Sequence, residues 1–253
     1  MDFAMQAALL QNQETLAMSY FRSLRQEIPE AVRKQIRLEF RLEMGSPCDE
    51  ILRLSDELQP DLLVLGASGS NPLMRSVIGS TSVALIQRSQ RPLLLIPAEA
   101  HYQDFANIVY ATDYEDDDIA VIDRILFFAR KQQAHLACVH VRLSHSADEA
   151  YKADLLKRAF HHDLQQQQIA FHTVYDQHVV EGLRRYIADN QADLLVMHTH
   201  RRSLLGRLMH GSHTVDMAPR VEIPLWIFPM REPAERLPSP TEKHAYQRSG
   251  RHS

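Results

Sequence analysis

Four short, unbroken apolar runs punctuate the chain: "DLLVLG" at 61–66, "PLLLIP" at 92–97, "DLLVMH" at 193–198 and "PLWIFP" at 224–229. Runs this short, without polar alternation, suit strands buried on both faces of a parallel sheet. They also recur in pairs. Residues 61–97 align without a gap to residues 193–229 at an offset of 132, with 13 of 37 positions identical. The identities include Asp61/Asp193, Arg75/Arg207, Gly79/Gly211, Ser80/Ser212, Pro92/Pro224 and Pro97/Pro229. Turn and loop positions are therefore shared along with apolar ones, which marks a duplicated unit. Within each copy a Gly-Ser step (79–80, 211–212) opens a helix of about two turns between the two strands.

Ahead of the second copy the pattern continues. It predicts a strand at 107–112, an amphipathic helix at 117–132, a strand at 134–141 and a long helix over 146–167. A strand at 169–175 and a helix at 178–190 follow. The order βαβαβαβαβ implies an open parallel sheet with helices on both faces. The first copy has a helix over 2–28, a strand over 34–44 and a helix over 47–58, with nothing to match the leading strand, helix and strand. A piece of roughly 40 residues is thus missing from the repeat. A truncated or late-starting chain, or cover by another chain or by the second domain, would account for it. The expected fold is α/β: two open parallel sheets, the first incomplete, in domains at 1–99 and 104–230, followed by a disordered, Pro-rich tail at 231–253.

Composition narrows the function classes. With 45% hydrophobic and 24% charged residues and a net charge of −4, the chain has no global field for nucleic acid or a membrane surface. No run reaches the roughly 20 apolar residues of a membrane span, and the N-terminus lacks a basic leader. Two cysteines, Cys48 and Cys138, are too few for a disulfide framework and fit a reducing, cytoplasmic setting.

The chemistry lies in one loop. After its strand the first copy runs Gly66-Ala-Ser-Gly69, then nine residues, then Gly79-Ser80-Thr81. Glycines at a strand's carboxyl end let a ligand approach the backbone, and a helix N-terminus offers free N–H groups and positive potential to phosphate. The hydroxyls of Ser80 and Thr81 add donors. Ligands of open α/β sheets bind at this end of the strands.

This spacing resembles that of the nucleotide-binding universal stress proteins, and with the duplicated strands the resemblance covers nearly the whole chain, in the layout of the tandem-domain members. It implies adenine-nucleotide binding in stress adaptation, with ATP and accompanying Mg2+ as the expected cofactors and without strong catalysis. It places Asp113, in "YATDYED", and Val141, in "CVHV", on the adenine and ribose side. In the second copy His198 and Arg201 replace the first two glycines and only Gly211 and Ser212 remain, so ATP binding there in the family's usual way is not expected.

The loop 198–213 carries Arg201, Arg202, Arg207 and four histidines, and reads first as a solvated basic loop, with anion binding as the alternative. His198, His200, His210 and His213 match no standard zinc spacing. The acidic run 111–118 precedes a helix, where favourable dipole interaction explains it. No Gly-x-Ser-x-Gly elbow, Walker lysine or paired metal carboxylates occur, so no enzyme activity beyond weak ATP hydrolysis is expected. The competing reading is an interaction scaffold of the same fold that binds no nucleotide. Pairing of the apolar strands 92–97 and 224–229 would make the two halves an internal pseudo-dimer, and the incomplete first half invites a homodimer.

Overall fold

The computed structural model describes residues 3–67, 79–101, 103–114, 118–142, 147–198 and 223–229. The chain divides into two compact units, Met1–Glu50 and Ile51–Ser253.

The first unit contains helices α1 (Phe3–Glu27) and α2 (Glu30–Arg33) and the first turn of α3 (Pro47–Leu58). Pro29 precedes α2 and Pro47 opens α3, both positions where a missing N–H costs nothing. The strand expected over 34–44 does not form: residues 37–44 belong to no sheet. Their alternation is intact, and Ile36, Leu38, Phe40, Leu42 and Met44 are all exposed. Alternation alone builds no ladder, because a strand's N–H and C=O groups need a neighbour. Local contacts hold the segment instead: Arg37 and Arg41 pair with Glu39, and Phe21 stacks on Phe40 with centroids 4.9 Å apart.

The second unit holds β1 (Leu63–Gly66), α4 (Ser80–Arg88), β2 (Leu93–Ile96), β3 (Asn107–Ala111), α5 (Asp118–Gln132) and β4 (His135–Arg142). It continues with α6 (Ala147–Ala159), α7 (His161–Gln165), β5 (Ile169–Tyr175), α8 (Val179–Asp189), β6 (Leu194–His198) and β7 (Leu225–Phe228). The expected single helix over 146–167 is thus two, α6 and α7. All seven strands form one sheet in the order β1-β2-β7-β6-β3-β4-β5. Every neighbouring pair is parallel except β2 and β7, which run antiparallel with Leu93 opposite Ile227, Leu94 opposite Trp226 and Leu95 opposite Leu225. The two expected parallel blocks are therefore present, joined edge to edge into one sheet.

The main core lies on one face of the second block. Ile108, Tyr110, Leu136, Cys138, Leu194 and Val196 of the strands meet Val121, Ile122, Ile125, Leu126 and Ala129 of α5. The apolar positions of α5 recur at three- and four-residue intervals, as a helix stripe facing a core must. On the other face α8 presses against β4, where Gly182 leaves room for Val141.

Candidate functional site

In the first half, β1 ends at Gly66 and α4 begins at Ser80 with Gly79 as its N-cap. Gly79 has φ −66° and ψ 155°, which any residue adopts, so conformation does not require glycine there. Its N–H donates to the Ala67 carbonyl at 2.8 Å and is spent. The expected cradle is accordingly narrower: the donors at this end are the amides of Ser80, Thr81 and Ser82, which a helix cannot satisfy internally, and the N-cap Gly79 has no side chain to cap them. The Ser82 hydroxyl reaches the Gly66 carbonyl at 3.5 Å, holding the first turn against the strand end. A Cβ on Gly66 would have no atom of the described residues within 4 Å. Gly69 lies outside the described residues.

In the second half, Ala111 of β3 is in register with Val139 of β4. Asp113, two residues past the end of β3, is therefore level with Val141, which lies within β4 next to its last residue. Asp113 is half-buried, and its charge contributes to holding the Tyr110 hydroxyl well above the usual phenol range, after burial and Asp118. Val141 is buried, and a Cβ at Gly182 would stand 2.8 Å from its Cγ1. Gly211 and Ser212, with the rest of the basic loop beyond His198, lie outside the described residues.

Between Asp113 and Val141 sits a polar cluster that the sequence reading did not single out. His140 donates from Nδ1 to the Thr112 carbonyl at 2.8 Å, and its ring packs 4.4 Å from that of Tyr114. Its buried Nε2 has no hydrogen-bond partner and faces Glu149 Oε2 at 3.8 Å. Glu149 in turn accepts from Arg142 at 3.2 Å. A histidine inside the apolar run "LACVHV" was the available signal, since a buried polar group needs a partner. Asp118 is also buried and accepts from the hydroxyls of Tyr110 and Thr112. That use anchors β3 to α5. Among the described residues no group of three or more His, Cys, Asp or Glu is arranged to hold a metal ion.

The direction of the strands separates the two sets of residues. Because β2 and β7 are antiparallel, β1 and β2 run against the other five strands. The carboxyl end of β1, with Gly66, Ser80 and Thr81, opens on one edge of the sheet, and Asp113 and Val141 stand on the opposite edge. One nucleotide cannot touch both, so the second half does not complete the first half's loop. A cavity of about 350 Å³ opens at the amino end of β4, between Leu126, Arg130, His135 and Gln168. None of the predicted residues lines it.

The class of protein is thus a parallel α/β fold, duplicated along the chain, whose candidate sites lie at the carboxyl ends of its strands. The Universal stress protein family profile matches residues 2–97 and 104–229, and the chain belongs to this family. It is similar to a protein of Staphylococcus haemolyticus named for the same family, with 38% identity over 69 residues, 27% of this chain and 42% of that one. The chain spans about half the length of the curated relatives it matches. Among solved structures, a universal stress protein from Archaeoglobus fulgidus superposes with a TM-score of 0.67 at 16% identity, covering 88% of this chain and 79% of that one. A Pseudomonas aeruginosa protein of unknown function gives 0.58 at 15% identity, covering 93% and 83%. These likenesses carry the fold. No described helix is long and apolar enough to cross a membrane.

Proposed function

We propose that the protein binds an adenine nucleotide in stress adaptation, in the cytoplasm, and has no strong catalytic activity. The observation carrying this reading is the end of β1, where the Ser80, Thr81 and Ser82 amides have no intrahelical partner and Gly66 has no atom of the described residues against its Cβ position. Negative charge is favoured at such a helix start, so the loop takes the phosphates. ATP, with Mg2+ accompanying it, is the ligand this reading names. Asp113 and Val141 offer an adenosine-side position on the other edge, where Asp113 supplies an acceptor to ribose hydroxyls beside an apolar floor. Each edge thus takes part of a nucleotide, and ATP binds the 253-residue chain weakly. The antiparallel β2–β7 pair supports reading the two halves as an internal pseudo-dimer.

Calorimetric titration with ATP tests the loop. Because the Gly79 backbone suits any residue, Gly79→Val adds bulk without backbone strain and is expected to weaken binding about tenfold, a change of about 1.4 kcal/mol. Ser80→Ala, which deletes one hydroxyl donor, weakens it by less. Unchanged affinity in both variants would reject the loop as the phosphate site and favour the scaffold reading.

A further inference from the structure

Past the end of β3 the chain turns through Thr112, Asp113 and Tyr114. The Thr112 amide donates to the Val139 carbonyl at 3.0 Å, which extends the β3–β4 pairing by one bond. Its carbonyl accepts from His140 Nδ1 at 2.8 Å, and its hydroxyl accepts from the Tyr114 amide at 2.9 Å while donating to Asp118. Tyr114 has φ 57°, a left-handed conformation that a bulky residue adopts only when its surroundings impose it. Its ring is buried and packs on the imidazole at 4.4 Å. The place of Asp113 is thus set by its two neighbours, and both lean on His140.

His140 acts from behind this turn. Successive residues of a strand point to opposite faces; Val141 faces α8, so the imidazole points away from that side. A carbonyl can only accept, so Nδ1 carries a proton, and in the neutral ring Nε2 is then a bare lone pair. That nitrogen is buried, has no hydrogen-bond partner among the described residues, and faces Glu149 Oε2 at 3.8 Å. The carboxylate oxygen is also an acceptor. Arg142 holds it in place from 3.2 Å and is itself bonded to the Tyr175 hydroxyl at 3.0 Å. Two acceptors facing across a buried gap leave the ring nitrogen unsatisfied, and a second proton makes it a donor to that oxygen.

We propose that His140 is a positioning residue for Asp113 that works through this second proton, a role resting on the adenosine-side position proposed for Asp113: the imidazolium clasps the Thr112 carbonyl and Glu149 together, and a nucleoside held by Asp113 binds with uptake of the proton. Protonation makes the bond from Nδ1 to Thr112 charge-assisted, which stiffens the turn. Linkage is reciprocal, so affinity for the nucleoside rises as pH falls. Among the described residues, the charged and titratable groups around the ring come from five elements. Asp113 and Tyr114 follow β3, Arg142 belongs to β4 and Glu149 to α6; Asp118 of α5 acts through Thr112, and Tyr175 of β5 through Arg142.

Long-range proton–nitrogen spectra of the histidine rings, with His140 assigned from its backbone signals, read the proton on the ligand-free full chain at about pH 5.5 and about pH 8. The expected result is an Nδ1–H tautomer at the higher pH and two protonated nitrogens at the lower. The Tyr114 amide should show a protection factor at least about fivefold greater at the lower pH. Calorimetric titration with adenosine, which carries no phosphate, should give affinity about fivefold tighter at the lower pH, with net proton uptake. Glu149→Gln, at a side chain 34% exposed, flattens both profiles, because a carboxamide donates to the bare Nε2 without a second proton. A ring in the same state at both pH values, an Nε2–H tautomer at the higher one, or profiles that Glu149→Gln leaves unchanged would overturn the proposal. Absence of adenosine binding at both pH values rejects the nucleoside reading of Asp113, and the ring signals with the Tyr114 amide then decide the positioning role by themselves.

Discussion

At the scale of single residues, burial governs two groups that no motif marks. Cys138 lies wholly inside the core, where desolvation, then the charge of Asp118, holds its thiol well above the usual range. Tyr110 is raised by burial first and Asp118 second. Both stay neutral in the folded chain at pH values where the unfolded chain ionises them. Their contribution to stability is therefore complete below the unfolded values and falls as pH rises, from about 8.5 for the thiol and about 10 for the phenol. Urea midpoints measured from pH 7 to 10.5 should decline across this window, and Cys138→Ala should flatten its lower part. A midpoint independent of pH would refute the assignment. The sequence marked Cys138 as core through its apolar neighbours. It did not reveal Asp118 as the shared acceptor of Tyr110 and Thr112, because six- and eight-residue separations meet only once β3 and α5 pack. Nor did it reveal that Gln133, Gln167 and Gln191 end helices in the left-handed region, a place glycine ordinarily takes.

At the scale of elements, α8 and β4 show how packing reaches the candidate site. A Cβ at Gly182 would stand 2.8 Å from Val141 Cγ1 and 2.9 Å from Asp176 Cβ, and the second of these belongs to a short, anchored side chain. Asp176 is fixed by the His178 amide and by Arg185, interactions that also lower its carboxyl pKa. Gly182→Ala therefore gains about 1 kcal/mol of helix propensity and loses more to overpacking, for a net destabilisation of about 1–2 kcal/mol. Chemical denaturation of Gly182→Ala alone and with Val141→Ala measures this. The double variant should recover part of the loss, and strict additivity would show that the two positions do not press on one another. Helix and strand existence was legible here from periodicity. The missing strand at 34–44 was not, because its residues have the right alternation and lack only a neighbour.

At the scale of the whole molecule, the β2–β7 pair decides what the two copies become. Leu93, Leu95, Leu225 and Ile227 are all buried there. The chain's one tryptophan, Trp226, faces Leu94 across the same pair, so its emission reports on the junction. Leu95→Ala should lower the unfolding free energy by about 3 kcal/mol. Trp226 emission and far-ultraviolet circular dichroism should shift together, because the ladder is continuous. A shift in emission alone would mean that the junction opens without the sheet.

The amino-acid sequence by itself determined the duplication, the parallel blocks, the glycine–serine loop and the family. These rest on local spacing and on apolar runs that have few alternative uses. The pairing of the apolar strands 92–97 and 224–229 was also legible; only the tertiary structure fixed its antiparallel register and thereby set the Gly66–Ser80 loop and the Asp113–Val141 pair on opposite edges. It also decided that β1 has one neighbouring strand among the described residues, whereas β6, which starts from the same sequence, has two. Strand direction and edge occupancy depend on which segments become neighbours, and identical residues carry no record of that until the sheet assembles.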